Sequence, residues 1–182
     1  MELTEKTLNE EYIYKGRIIK VRRDEVELPN GHKSVREVVE HSGGVCVLPL
    51  TDKDEVIFVR QFRYPYKEVL LEIPAGKRDH GAESPLECGK RELAEETGAT
   101  AENYVSLGEL YPSPGYCGEV IFMFLATQLS FGNTNPDEDE FLNVERIPFD
   151  KALDMVLSGE IKDSKTQCAL MKAAVLLGKL RK

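Results

Sequence analysis

The chain has 182 residues, of which 41% are hydrophobic and 31% charged, and its formal net charge is −8. This composition suits one folded domain with a small appendage and argues against a disordered chain. The negative charge argues against nucleic acid or an anionic membrane as a partner, because both require basic patches. The polar start MELTEKTLNEEY resembles neither a signal nor a transit peptide, and no apolar stretch approaches the ~20 residues of a membrane span. We therefore expect a cytoplasmic protein.

The first predicted element is a β-hairpin within residues 11–41. Its arms, 21–28 and 34–40, flank Pro29-Asn30-Gly31. Asn-Gly between alternating segments favours a hairpin because both residues tolerate positive φ. Further along the chain, short apolar runs predict strands at 45–50, 55–62, 69–73, 104–110, 120–125 and 143–147.

Capping signals predict three helices. The first covers residues 85–97, with Ser84 as N-cap, Glu87 completing a capping box and Gly98 as the stop. The second covers 151–158, with Asp150 as cap, and the third covers 165–180, with Ser164 as cap. The pattern predicts an α+β or mixed α/β fold with a helix on a twisted mixed sheet. Residues 1–42 are expected to form an appended antiparallel β-domain, and residues 43–182 the main domain.

The first helix carries closely spaced carboxylates. Glu92 and Glu96 lie four residues apart and share a face, and Glu95 lies three residues after Glu92. If this face lined a cleft, a cation would have to neutralise it, and oxygen ligands suit Mg²⁺. Alternatively, Glu87, Arg91 and Glu95 form an ordinary salt-bridged surface row. Helix spacing alone leaves both interpretations open.

The stretch from Gly76 to Gly98 resembles the Nudix box, the signature of Nudix hydrolases. Glu83, the next seven residues and the run Arg91-Glu92-Leu93-Ala94-Glu95-Glu96-Thr97-Gly98-Ala99 fit that pattern. The sequence departs from it in the loop 77–82, where six residues instead of five separate Gly76 from Glu83. The departure affects the loop conformation and the role of Glu83, and it leaves the helix spacing intact.

The resemblance implies an α/β/α sandwich and a catalytic set on the first helix. Glu92 and Glu96 would be the main metal ligands and Glu95 would lie nearby. Arg91 would orient the glutamates by pairing with one of them.

Two further segments resemble the ADP-ribose pyrophosphatase branch of this family. They are Glu72-Ile73-Pro74-Ala75-Gly76, before the box, and Tyr111-Pro112-Ser113-Pro114-Gly115, after it. The resemblance implies that the Ala75 carbonyl is a metal ligand and that Ser113 and Glu119 contact the substrate. Each segment by itself is also an ordinary turn.

An acidic segment at 137–140 and the N-terminal hairpin extend the resemblance. Glu138 would act as general base and Glu140 would contact metal, although these two roles could be exchanged. In the same branch the hairpin joins two subunits, so that Arg36 and Glu37 would reach the adenine across a homodimer. Arg63 would hold a phosphate. Each of these residues could equally be a solvated surface charge.

Together these features predict a Nudix pyrophosphohydrolase that uses Mg²⁺, with Mn²⁺ as an alternative. The expected reaction converts ADP-ribose and water into AMP and ribose 5-phosphate. Other nucleoside diphosphate sugars or dinucleotides are alternative substrates. A non-catalytic domain that binds nucleotide as a regulator is the alternative outside enzymes, but such domains usually lose the box glutamates that this chain keeps.

Overall fold

The computed structural model describes residues 2–78, 83–134 and 141–180. Within these ranges the strands and helices follow one another as β1 Lys6–Lys15, β2 Lys20–Glu27, β3 Lys33–Glu40, β4 Gly44–Pro49, β5 Glu55–Arg63, β6 Glu68–Glu72, β7 Ala75–Lys77, α1 Pro85–Thr97, β8 Ala99–Leu110, β9 Ile121–Phe131, β10 Asn143–Pro148, α2 Phe149–Leu157 and α3 Ser164–Leu176. The chain folds into two compact units. The first comprises the chain up to Gly43 and Tyr111–Val120, and the second comprises Gly44–Leu110 and the chain from Ile121 onward.

The first unit is built on a three-stranded antiparallel sheet in the order β1-β2-β3. The predicted hairpin between β2 and β3 is present, and Gly31 has a φ of 81° at its turn. The sequence did not predict β1, whose residues are exposed at all ten positions. Its pairing with β2 therefore supplies most of what makes it a strand.

The segment Tyr111–Val120 belongs to this first unit although it lies far from it in sequence. The Val39 amide donates to the Tyr116 carbonyl at 2.8 Å, and the Gly118 amide donates to the Val39 carbonyl at 2.9 Å. These bonds place the segment along the end of β3.

The second unit contains two sheets and all three helices. One sheet has the antiparallel order β10-β5-β6, and the other has the order β7-β4-β9-β8, in which β4 and β9 are parallel. Every residue of β4 is buried, as expected for a central strand. This architecture confirms the predicted α+β class with an N-terminal antiparallel sheet. No helix in the described ranges has the length and apolar character needed to cross a membrane.

Helix α1 has the predicted bounds and caps. The Ser84 side chain accepts a hydrogen bond from the Glu87 amide at 3.2 Å. Gly98 adopts a left-handed conformation, with φ of 68°, and its amide donates to the Ala94 carbonyl. Gly89 lets the helix approach β4, since a Cβ there would lie 3.1 Å from the side chains of Val45 and Val47.

The predicted caps of α2 and α3 were wrong. Helix α2 begins at Phe149, so Asp150 lies in its first turn, where its charge suits the helix dipole. Helix α3 is capped by Asp163, whose carboxylate accepts from the Thr166 amide at 2.9 Å, and Ser164 lies inside the helix. The helix ends at Leu176 instead of residue 180, shortly before Gly178, which has a φ of 66°.

Candidate active site

The carboxylate face of α1, formed by Glu92 and Glu96, is turned into the protein. Glu92 is 8% exposed and Glu96 is 4% exposed, which is unusual for glutamates. Leu93, which follows Glu92 in sequence, is fully buried and anchors the helix to the core. The surface salt-bridge alternative therefore does not describe these two residues.

The short strand β7 meets this face. The Ala75 amide donates to Glu96 Oε2 at 3.3 Å. A Cβ added at Gly76 would lie 1.8 Å from Glu92 Cδ, so no larger residue fits there with the carboxylate in place. The segment predicted to supply a carbonyl ligand and the two predicted carboxylate ligands are thus neighbours.

Arg91 connects one glutamate of this face with two others. Its Nη1 atom lies 2.8 Å from Glu92 Oε1 and 2.8 Å from Glu95 Oε2, and its Nε atom lies 3.2 Å from Glu83 Oε1. Burial by itself lowers the pKa of Arg91, but the hydrogen bond with Glu83 and the charge of Glu92 raise it above its ordinary value. The guanidinium therefore stays charged and restrains three acidic side chains at once.

Glu83 makes this contact with Arg91 despite the extra residue in the preceding loop. Residues 79–82 of that loop lie outside the described part of the chain. The additional residue therefore does not prevent Glu83 from pairing with Arg91 on the helix.

Cys88 lies beneath Arg91 and is fully buried. Its Sγ atom accepts from Arg91 Nη2 at 3.4 Å and donates to the Lys77 carbonyl at 3.7 Å. Burial raises the pKa of Cys88 to about 12, more than the charge of Arg91 lowers it.

The donor set around Ala75 fits a hard divalent cation. Two buried carboxylates and a backbone carbonyl offer oxygen ligands, which Mg²⁺ prefers, and the cleft left by the missing Gly76 side chain brings Glu92 close to β7. Within the described ranges, no three acidic, histidine or cysteine side chains converge on one point. Glu138 and Glu140, the predicted base and additional ligand, lie outside the described residues.

Arg63 is engaged by an acid that sequence reasoning did not single out. Its Nε and Nη2 atoms donate to the two carboxylate oxygens of Glu72, each at 2.6 Å. Glu72 is 1% exposed. The predicted contact of Arg63 with phosphate stays a prediction, and the structure shows how the guanidinium is held. The sequence contains one indication that Glu72 is buried, because it directly follows the apolar run Val69-Leu70-Leu71.

Glu72 is the centre of a group of side chains that we call the α3 network. Lys165 forms a short contact with the Glu72 carboxylate and lies 3.0 Å from Asp163 Oδ1. Asp163 Oδ2 also accepts from Thr166 Oγ1 at 2.6 Å. The α3 network comprises Arg63, Glu72, Asp163, Lys165 and Thr166.

Electrostatics hold the α3 network in its ionised form. Burial by itself raises the pKa of Glu72, but the hydrogen bond with Arg63 and the charge of Lys165 lower it to about 2. Burial by itself lowers the pKa of Lys165, and the charges of Asp163 and Glu72 raise it above its usual value. Both side chains are therefore charged at neutral pH.

The remaining predicted substrate-binding residues lie in the first unit. Arg36 donates from Nε to Glu5 at 2.9 Å, and Glu37 is exposed. Glu37 lines a cavity of about 460 Å³ within this unit. The other lining residues are Ile13, Val21, Arg22, Arg23, Val38, Val39 and Tyr116.

Ser113 and Glu119 shape the segment that follows β8. The Ser113 carbonyl accepts from the amides of Tyr116, at 3.3 Å, and Cys117, at 3.0 Å, which closes a turn. Glu119 Oε1 lies 3.3 Å from His41 Nδ1. Their predicted contacts with substrate stay predictions.

Two family models match the chain. Residues 40–166 match the NUDIX domain, and residues 5–39 match the nucleoside diphosphate sugar hydrolase N-terminal domain. The first match alone covers more than half of the chain.

Similar proteins span almost the whole sequence. An ADP-ribose pyrophosphatase of Bacillus subtilis (strain 168) is 44% identical over 92% of this chain and 91% of its own. A methanol dehydrogenase activator of Bacillus methanolicus is 40% identical over 91% of this chain and 90% of its own. The crystal structure of an ADP compounds hydrolase superposes with a TM-score of 0.85 and 25% identity, covering 99% of this chain and 100% of that one.

Proposed function

Since this chain belongs to the Nudix family and is a nucleoside diphosphate sugar hydrolase, we propose that its substrate is ADP-ribose and its metal is Mg²⁺. The proposed products are AMP and ribose 5-phosphate. The observation that carries the proposal is the pair of buried carboxylates, Glu92 and Glu96, against Ala75 and Gly76. The choice of ADP-ribose is supported by the pyrophosphatase of B. subtilis at 44% identity.

Glu92, Glu96 and the Ala75 carbonyl would hold the metal, with Glu140 as a further ligand. When bound, Mg²⁺ neutralises the diphosphate and makes a nearby water more acidic. A buried acidic face next to an anionic substrate is reasonable only with such a cation between them.

The other residues orient groups or move a proton. Arg91 pairs with Glu92 and Glu95 and would keep these carboxylates in one geometry during turnover. Glu138 would take the proton from the attacking water at a carboxylate oxygen. Arg63, already fixed by Glu72, would hold a phosphate oxygen with a guanidinium whose orientation is set in advance.

Adenine recognition is proposed to involve Arg36 and Glu37 of a second copy of the chain in a homodimer. Strand β1 lies at the edge of its sheet and is exposed at all ten positions, which supports such pairing. Ser113 and Glu119 would contact the substrate from the loop after β8.

The direct test is product analysis with ADP-ribose and Mg²⁺, in which AMP and ribose 5-phosphate are expected in equal amounts. A panel with GDP-mannose, ADP-glucose and a dinucleotide measures the preference through kcat/KM. If another compound exceeds ADP-ribose tenfold, the substrate assignment is wrong while the hydrolase assignment stands.

A second candidate is activation of a dehydrogenase, which the name of the B. methanolicus relative supports. It is tested by adding the chain to methanol dehydrogenase with its coenzyme and measuring the rate. If activation occurs, Glu96→Gln separates a catalytic cause, in which activation is lost, from simple binding, in which it is kept.

A further inference from the structure

The α3 network contains as many bases as acids, and Glu72, Lys165 and Thr166 at its centre are buried. Arg63 and Lys165 face Glu72 and Asp163, and Glu72 is 1% and Lys165 9% exposed. A buried ion pair of this kind requires good geometry, because the desolvation of its charges is costly. The side chains of this network therefore have little freedom to move independently.

Successive backbone bonds link this network to the candidate active site. The Ile73 amide donates to Thr166 Oγ1 at 2.9 Å, so the residue after Glu72 is also fixed by α3. The Pro74 carbonyl then accepts from the Val47 amide at 2.9 Å, and the Ala75 amide donates to Glu96 at 3.3 Å. Each residue from Glu72 to Ala75 thus has a partner outside its own segment.

We infer that the α3 network positions Ala75 and Gly76 against Glu92 and Glu96, with Thr166 and Lys165 as positioning residues. The inference rests on the proposed function, since it assigns these residues to the geometry of the metal-binding face. Thr166 matters most for the path, because its hydroxyl binds both the Asp163 carboxylate and the Ile73 amide. Lys165 matters because it ties Glu72 to the start of α3.

Outer contacts of this kind have a measurable effect on metal sites. Their removal typically lowers metal affinity or activity by about 10–100-fold, although they touch neither metal nor substrate. We therefore expect the Mg²⁺ concentration at half-saturation, which we call the Mg²⁺ midpoint, to rise when the α3 network is disrupted.

The first experiment compares Thr166→Val with Thr166→Ser. Valine keeps the shape and loses the hydroxyl, whereas serine keeps the hydroxyl. We expect Thr166→Val to raise the Mg²⁺ midpoint about tenfold or more and to lower kcat with little change in the KM for ADP-ribose. Thr166→Ser should stay close to wild type. The Mg²⁺ midpoint is measured without substrate, from the rise in melting temperature and by calorimetry.

The second experiment uses two lysines of the same helix. Lys165→Met removes the contact with Glu72, and Lys172→Met removes a hydrogen bond from Nζ to the Leu107 carbonyl at 2.7 Å, outside the α3 network. We expect only Lys165→Met to raise the Mg²⁺ midpoint. Circular dichroism at 20 °C verifies that each variant is folded before titration.

The inference is wrong if Thr166→Val and Lys165→Met lower the melting temperature but bind Mg²⁺ with the wild-type midpoint. That result would make the network purely structural. A wild-type chain that binds Mg²⁺ and does not cleave ADP-ribose would contradict the proposed substrate alone, because the midpoints do not depend on it. A wild-type chain that does not bind Mg²⁺ would overturn both proposals.

Discussion

The carboxylate face of α1 and the α3 network both bury glutamates, but they balance the charge differently. In the α3 network, Glu72 has a guanidinium and an ammonium against it. On α1, the guanidinium of Arg91 is shared by Glu83, Glu92 and Glu95. The first arrangement serves the fold, and the second is proposed to hold a cation.

This difference predicts that substitutions in the α3 network mainly lower stability and that substitutions on the carboxylate face mainly lower activity. Removing one partner of a balanced buried ion pair destabilises the fold strongly, because the other charge is left buried without compensation. A carboxylate that serves as a metal ligand should instead lose activity, with a smaller loss of stability, when it is neutralised. The following predictions test whether the two groups of glutamates differ in this way.

The largest effect is expected for Glu96→Gln. The loss of one metal ligand should lower kcat about 10²–10³-fold, since metal stabilisation of the transition state amounts to several kcal/mol. The melting temperature without Mg²⁺ should change less than it does in Glu72→Gln. Steady-state kinetics and a thermal melt in EDTA measure the two quantities.

The control for this prediction is Glu87→Gln on the same helix. Glu87 is exposed and pairs with Lys90 at 3.0 Å. The kcat of the Glu87→Gln variant should equal that of the wild type. Wild-type turnover by Glu96→Gln would contradict the metal-binding role of the carboxylate face.

Next in size is Glu72→Gln, which should lower the free energy of unfolding at pH 7 by about 3–5 kcal/mol. Because the pKa of Glu72 is lowered to about 2, its ionisation stabilises the fold fully above about pH 4.5. This contribution, about 3 kcal/mol by linkage, is lost as the pH falls toward 2. Urea unfolding between pH 7 and pH 3 should therefore show a shallower pH dependence in Glu72→Gln than in the wild type. Parallel curves would show that Glu72 does not titrate as stated.

Gly76→Ala should have an intermediate effect. The new methyl group would overlap the Glu92 carboxylate, which would have to move away from β7. We expect kcat to fall and the Mg²⁺ midpoint to rise. Gly132→Ala serves as control, since the nearest atom to its Cβ would be 3.8 Å away. Equal kinetics in the two variants would rule out the close approach of β7 to Glu92.

The smallest effect is expected for Glu145→Gln. Arg60 and Glu145 form an ion pair like that of Arg63 and Glu72, also from strand β5, but about a third or more of each side chain is exposed. An exposed pair contributes about 0–1 kcal/mol. Chemical denaturation of Glu145→Gln and Glu72→Gln side by side measures how much burial of the glutamate increases the contribution of its ion pair to the free energy of unfolding.

Local signals in the sequence were sufficient for several elements. Helix α1 follows from Ser84, Glu87 and Gly98, all of which act within one or two turns of the helix ends. The hairpin between β2 and β3 follows in the same way from its Asn-Gly turn. The carboxylate face could be predicted because helical spacing alone puts Glu92 and Glu96 on one side.

Contacts between distant residues could not be predicted. Glu72 and Lys165 are 93 residues apart, and the sequence around either residue does not indicate that the two form an ion pair. Strand β1 has no apolar alternation and depends on pairing with β2. The cap of α3 was misassigned for a different reason, since Asp163 and Ser164 are both good caps and the Asp163 carboxylate also binds its neighbours Lys165 and Thr166.

The buried thiol beneath Arg91 has a consequence for the chemical durability of the enzyme. Peroxides and alkylating agents react with the thiolate, and a cysteine whose pKa is about 12 is almost wholly protonated at neutral pH. Cys88 is thus a sulfur atom within α1 that oxidants scarcely attack. Hydrogen peroxide and iodoacetamide should leave the Cys88 side chain, on which Arg91 rests, unmodified while they react with the more accessible Cys117 and Cys168.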